Sequence, residues 1–373
     1  RAPVMSWQHF FLFAVTALAI PGIWFISLIA QGKGNLVIEF VLYQLRLFGT
    51  EDAGHGGSFF YHWIVLLVGC FPVSVFGIMA LLRRANDTPF EIHFLKWMRI
   101  LFWVVLILFS IVKTKIIHYS SLCWFPLTFL GTYAITKLVN GDLQWKKWLR
   151  FLFAAIALFF TAAFLLLPFI DHFKSQLISS GWITDPFAIA NLEAKANWSG
   201  YEWMAGIVLL VTLGIFIFLF LKKKILPSFI ALFTGMICTI TLAAVLIVPH
   251  VEEYSQGAAI DYWQKHNCSD FYLSPLGYKS YAQYFYGNVQ DHIANNPLYL
   301  AYKKENQKRL FLPELSQSEN ELRIRKEWIL NGTIDYPAYF ICKNSYKEDV
   351  KKYYPSLRYT GEKNGFVFWE RVP

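Results

Sequence analysis

Seven apolar runs, near residues 10–30, 60–82, 98–112, 119–139, 150–170, 203–221 and 226–248, dominate this sequence. A helix needs about 20 apolar residues to cross a bilayer, and each run reaches or approaches that length. Inside hydrocarbon the backbone must satisfy its own N–H and C=O groups, so the runs read as helices and the chain as a polytopic membrane protein. Composition agrees: 56% of residues are hydrophobic and only 16% are charged, against about 25% in soluble chains. A disordered chain, a collagen-like repeat and a disulfide-dense mini-protein are excluded. The third run is short and stops abruptly at Lys113, so its outer end needs shelter from neighbouring helices or a water-filled recess. The fourth follows with almost no loop, and the two read as a tight helical hairpin.

The net charge of +9 does not point to nucleic acid. Its Lys and Arg sit in short clusters between apolar runs, which is the footprint of membrane topology and not of a phosphate groove. Arg1 and the loops after the second, fourth and sixth runs hold roughly twelve of them, against about six (Lys33, Arg46, Lys113, Lys115, Lys174 and Lys195) in the alternate loops. The richer set is expected in the cytoplasm. Loops 31–59, 113–118 and 171–202, and everything after 249, then face outward from the cytoplasmic (inner) membrane. The chain opens Arg1-Ala2-Pro3, with neither an initiator Met nor a cleavable signal peptide, so further residues are expected upstream. Cys70, Cys123 and Cys238 lie in apolar runs as small filler; a Cys268–Cys342 pair is open only if the C-terminal part meets an oxidising compartment.

The division expected is a helical region over 1–249 and an extracytoplasmic α/β domain over 250–373. In the outer loop 171–202, Asp185-Pro186 is a helix-start pair. Phe187, Ile189, Ala190 and Leu192 follow, with Trp182, Trp198 and Trp203 around them. This suits a helix lying in the membrane interface, with a lid or spacer as the plainer alternative. Beyond residue 250, a helix over 252–267, strands at Phe271–Pro275 and Ala338–Cys342, and a helix over Lys347–Tyr354 are expected. Ser318 with Glu321 reads as a capping box, and Lys363-Asn364-Gly365 as the turn of a C-terminal hairpin.

Two clusters carry chemistry. Lys113-Thr-Lys115-Ile-Ile-His118-Tyr119 is wedged between two apolar runs at the outer boundary. Polar groups at such depth are costly without a partner and commonly functional. A lipid phosphate would sit against the ammoniums and the phenol while its tail stayed in hydrocarbon; the bland alternative is that both Lys snorkel to the surface. The other is the first outer loop: Glu39, Arg46, Glu51-Asp52 and His55 within Ala-Gly-His-Gly-Gly. Arg46 is a candidate second phosphate clamp, or an ordinary interfacial arginine. His55, flanked by glycines, is a candidate divalent-metal ligand with the nearby carboxylates, and a purely local role is equally open.

Together, Glu39-Phe40, Arg46, Ala-Gly-His55-Gly-Gly, Phe-Phe-Tyr61, Phe71-Pro72-Val-Ser and Lys115-Ile-Ile-His118-Tyr119 with Pro126 resemble the later half of bacterial GT-C membrane glycosyltransferases. That family includes the aminoarabinose (lipid A) transferases and the dolichyl-phosphate-mannose protein mannosyltransferases. The likeness spans roughly residues 8–260. It departs at Ser120-Ser121-Leu122, where an Ile-Leu-Pro-type sequence is common, and at Tyr43-Gln44. It implies a GT-C-like bundle of about seven spans with a small outer α/β domain. It also implies transfer of a sugar from a polyprenyl-phosphate donor to a glycan, lipid or protein acceptor outside the membrane. Lys115, His118 and Tyr119 would border the lipid-phosphate cavity, with His55 in the loop facing the active site, near a metal if one is bound. The family's essential acid has no counterpart here, so the general base is expected upstream of Arg1. A lipid-carrier transporter would also gather cations around a phosphate but would show paired, broken helices; a non-catalytic scaffold would leave the Lys–His–Tyr cluster unexplained.

Overall fold

The computed structural model describes residues 6–51, 56–82, 88–266, 271–287, 293–313 and 315–373. Its first half is helical: α1 (Trp7–Ala30), α2 (Gly34–Gly49), α3 (Tyr61–Gly69), α4 (Val73–Leu82), α5 (Pro89–Ile111), a 3-10 turn (Ile117–Cys123), α6 (Trp124–Val139) and α7 (Lys147–Leu166). Then come α8 (Ile170–Ser179), α9 (Pro186–Glu193), α10 (Met204–Leu221), α11 (Ile225–Leu246), α12 (Val248–Ser255) and α13 (Gly257–Lys265). Among the described residues six stretches are long and apolar enough to cross a membrane, and the bent pair α3–α4 makes a seventh if it is one span. The chain is a multi-pass membrane protein.

Two runs differ from expectation. The second is not one straight helix: α3 and α4 meet at Cys70–Pro72 with a bend of 118°. The third is not short. Thr88 caps α5 through a reciprocal box with Glu91, and Pro89 occupies the first turn, giving 23 residues. Hydropathy hides this start because Glu91, His93, Lys96 and Arg99 interrupt it. Arg99 donates to the Ala80 carbonyl at the end of α4 (2.9 and 2.6 Å), and Glu91 lies 3.4 Å from Lys137 of α6. At the opposite ends of the helices, the Lys113 N–H donates to the Phe48 carbonyl and Thr114 Oγ1 to that of Thr50. There too Tyr254 of α12 donates to Asp171 of α8, and His250 Nε2 lies 3.2 Å from Glu202. The polar contacts thus fall at two ends, as alternating spans require.

The core runs between α4, α6, α7, α10 and α11, around Phe76, Leu130, Phe153, Leu209, Phe216 and Leu232. The outward faces of α1, α5, α7 and α11 expose Phe, Ile and Leu, which costs nothing against lipid tails. Cys123 is buried, whereas Cys238 lies on an exposed helix face.

After α13 the chain forms β1 (Tyr272–Leu276), α14 (Ala282–Tyr286), α15 (Pro297–Leu310), α16 (Gln317–Asn331), β2 (Ala338–Lys343), α17 (Lys347–Tyr353), β3 (Arg358–Lys363) and β4 (Phe366–Arg371). The sheet order is β1-β2-β4-β3, with β1 parallel to β2 and the other pairs antiparallel. Asn364 and Gly365, at φ 51° and 79°, make the tight hairpin turn that Asn-Gly favours. The α16 cap differs from the box expected at Ser318 and Glu321. Ser316 and Glu319 form it, while Ser318 donates to Glu39 of α2 and Glu321 receives Tyr299 and Lys303. The helix expected in the membrane interface, α9, packs on the C-terminal hairpin: Phe187 lies edge-on against Phe366, and Asn191 donates to the Asn364 carbonyl. Cys342 is buried with the Trp369 N–H 3.2 Å from its sulfur; Cys268 lies outside the described residues.

Candidate functional site: a cationic cleft above an apolar elbow

Where α5 ends, the chain turns back on itself. Lys115 is only 4% exposed, and its Nζ donates to the carbonyl oxygens of Phe109 (3.0 Å) and Ser110 (2.7 Å). These are helix-terminal acceptors without an intrahelical donor, and a cation at this end also matches the helix dipole. An ammonium has three N–H donors, so one remains for a ligand. Burial lowers the pKa of Lys115 from its ordinary value; a nearby anion would reverse that shift.

Lys115 and the exposed Lys113 line an open cleft of about 550 Å³ with Thr50, Glu51, Gly57 and Ser110. Thr50, Glu51 and Gly57 and the lysine turn, from separate clusters in the sequence, therefore meet. Gly57 permits the approach, since a Cβ there would stand 3.1 Å from the Lys115 side chain. Next to the cleft, the bend between α3 and α4 leaves an apolar cavity of about 360 Å³ against α5, lined by Phe60, Trp63, Ile78, Phe102 and Leu127 among others. Trp63 joins the two spaces: it lines the cavity, and its indole N–H donates to Ser110 Oγ (3.1 Å) at the cleft.

The other expected site residues are placed differently. His118 is exposed on the 3-10 turn, edge-on to Tyr119, which is half-buried against Phe109. Neither is among the residues that line the cleft. Arg46 lies over Tyr43 and reaches Glu319 of α16 (3.0 Å), so its guanidinium joins α2 to the sheet domain. His55 lies outside the described residues. Among the described residues no three His, Cys, Asp or Glu gather as a metal site. Sequence reasoning missed His62, fully buried, whose Nδ1 is 3.1 Å from Ser120 Oγ while Nε2 has no partner among the described residues. A histidine entering an apolar run was the available signal.

No family model matches the chain. Over 209 residues it is 27% identical to the undecaprenyl phosphate-alpha-4-amino-4-deoxy-L-arabinose arabinosyl transferase of Pectobacterium carotovorum, covering 50% of this chain and 35% of that protein. The same enzyme from an Enterobacter strain is 32% identical over 117 residues, 30% of this chain and 21% of that protein. The crystal structure of ArnT from Cupriavidus metallidurans bound to undecaprenyl phosphate superposes with a TM-score of 0.55 at 16% identity, covering 97% of this chain and 60% of that one.

The chain has the ArnT fold.

Its apo counterpart agrees, at a TM-score of 0.50. The likeness to a GT-C membrane glycosyltransferase read from the sequence is borne out, over part of such an enzyme's length: the chain spans about 60% of the ArnT structure, and the alignment about a third of the curated relatives.

Proposed function

We propose that this chain is part of a membrane glycosyltransferase that takes its sugar from a polyprenyl-phosphate donor, and that the Lys113–Lys115 cleft receives the donor's phosphate. The observation carrying this is the junction of unlike spaces. Lys113 and Lys115 line a cleft that also holds Glu51, and Trp63 ties that cleft to an apolar cavity. An isoprenoid phosphate has the same division of charge and hydrocarbon. The relatives and the solved neighbour are named for undecaprenyl phosphate, which supports the same ligand class.

In glycosyl transfer from such a donor, the bond between the anomeric carbon and the phosphate oxygen breaks, and negative charge grows on the departing lipid phosphate. Fixed cations that meet this charge stabilise the transition state more than the ground state. Lys115, held by two carbonyls, is already oriented and pays little reorganisation. Lys113, exposed at the cleft, would assist capture of the anion. These residues serve the leaving group; none is assigned as the acceptor's general base, and no step runs through a metal. The acceptor is proposed to be a glycan, lipid or protein outside the cytoplasmic membrane, on the side of the sheet domain.

Sugar transfer from an undecaprenyl-phosphate-linked donor by the full-length protein tests this. Lys113→Ala removes one charge-assisted contact, about 1.5–3 kcal/mol, and should raise KM for the donor about tenfold or more with the fold unchanged. An unchanged KM for Lys113→Ala together with unchanged kcat for Lys115→Ala would remove the cleft from the reaction. For His55, metal content and chelator sensitivity of the purified protein decide whether a divalent ion takes part; no metal and no inhibition leave it with a local role.

A further inference from the structure

A second lipid-sized space lies at the other end of the bundle. Between α7 and α10 a groove of about 490 Å³ is lined by Ala154, Ala157, Thr161, Leu210, Gly214 and Ile217 among others. Small residues keep it open: a Cβ added at Gly214 would meet nothing within 4 Å. From Arg150 to Thr161 the groove follows α7 for eleven residues, about 16 Å at 1.5 Å per residue. That is roughly half of a 30 Å hydrocarbon core, the depth of one leaflet.

Its mouth is cationic. Arg150 lines it; Lys147 and Lys146, the latter lining a separate hollow with Met79 and Leu82, precede Arg150 by one turn, and Lys222, Lys223 and Lys224 follow Leu221, another lining residue. All six are exposed, and none of them is in an ion pair among the described residues. The described carboxylates at this end, Glu91 and Asp142, face Lys137 instead. Trp145 also lines the groove; it is 9% exposed, and its indole N–H has no acceptor among the described residues. A buried N–H without an acceptor is costly, and ester or phosphate oxygens of a lipid would supply one.

We propose that this groove binds one anionic phospholipid from the leaflet carrying the basic connections, with an acyl chain between α7 and α10 and the phosphate at Arg150. Apolar walls alone would accept any lipid; Arg150 on the groove wall and the exposed lysines next to its ends in sequence select a negative headgroup. Each basic residue near such a headgroup strengthens binding about fivefold.

The test is native mass spectrometry of the full-length detergent-solubilised protein, titrated with phosphatidylglycerol and, separately, phosphatidylcholine of the same chain length. The native protein should retain one phosphatidylglycerol at least about fivefold more tightly than phosphatidylcholine. A Cβ at Gly214 meets nothing within 4 Å, so Gly214→Leu directs its side chain into the groove and should lose that lipid, with the unfolding temperature measured alongside to show that the fold is kept. Arg150→Gln, an exposed change, should cut the preference about fivefold. Equal retention of the two lipids by the native protein, or phosphatidylglycerol bound as tightly by Gly214→Leu, would overturn the proposal.

Discussion

Lys115 carries two loads, and they separate by pH. Because burial lowers its pKa, the ammonium loses its proton at a lower pH than an ordinary lysine. Donor affinity should then be full near neutrality and fall as pH rises through that lowered value. Arginine stays charged over the same range, so Lys115→Arg should abolish the alkaline rise in donor KM, whereas Lys113→Ala should keep it; donor KM against pH for both variants checks this. At the same end of the bundle Glu202 is fully buried. Burial alone would raise its pKa, but the hydrogen bonds from Ser199 Oγ and from the N–H groups of Ser199 and Gly200 outweigh it and hold it at about 2. A carboxylate whose folded pKa is depressed stabilises the fold above its unfolded value and loses that contribution as pH falls. Thermal stability should therefore drop between about pH 4.5 and 2. Glu202→Gln should flatten that stretch of the curve and lower the neutral-pH plateau, as followed by thermal unfolding in detergent.

At the scale of elements, α4 meets α6 through glycines, and the two glycines are not equivalent. A Cβ at Gly131 would stand 2.4 Å from Val73 Cγ2 and 2.8 Å from the Val73 carbonyl oxygen; one at Gly77 meets chiefly the tip of Leu127, at 2.6 Å. Backbone cannot move aside as a leucine tip can. Gly131→Ala should cost about 1–3 kcal/mol and Gly77→Ala distinctly less, compared by thermal unfolding in one detergent. Such contacts were not legible in the sequence, because a glycine in an apolar run looks the same whether it faces lipid or a helix. The spans themselves were legible, since hydropathy is a local property. The C-terminal hairpin was legible for a similar reason, Asn364-Gly365 forcing its own turn. What stayed hidden depended on distant partners. The 118° elbow of α3–α4 leaves no mark in composition, and the first turns of α5 were masked by charges whose partners, the Ala80 carbonyl and Lys137, lie on α4 and α6. The cap of α16 fits the Ser-x-x-Glu spacing twice. Glu39 decides between them by engaging Ser318.

At the scale of the whole molecule, α2 is tied to the sheet domain by Glu39 and by Arg46, the residue that the sequence offered as a second phosphate clamp. Glu39 accepts from the Gln317 N–H (2.8 Å) and Ser318 Oγ (2.7 Å), so a carboxylate from α2 sits on the N-terminus of α16, where a negative charge meets the helix dipole. One turn and more along α2, Arg46 reaches the capping Glu319. On sequence, Arg46 was a candidate second phosphate clamp, with an ordinary interfacial arginine as the simpler reading; its partner lies 273 residues away, which no local pattern encodes. The second tether joins α9 to the hairpin through Asn191 and Phe187, and it is independent of the first. Loosening α2 should therefore not release the sheet domain but alter its contact with α2, which ends at the cleft residues Gly49 and Thr50. Glu39→Ala removes the helix-terminal acceptor, a loss of about 0.5–2 kcal/mol. Arg46→Ala removes a half-exposed ion pair, about 0.2–1 kcal/mol. Hydrogen exchange on the intact protein should show faster amides at Gln317–Glu319 in Glu39→Ala than in Arg46→Ala, with exchange in β2 and β4 unaltered in both. If the donor's phosphate needed Arg46, its removal would raise donor KM as much as Lys113→Ala does; with the guanidinium committed to Glu319, the rise should be smaller.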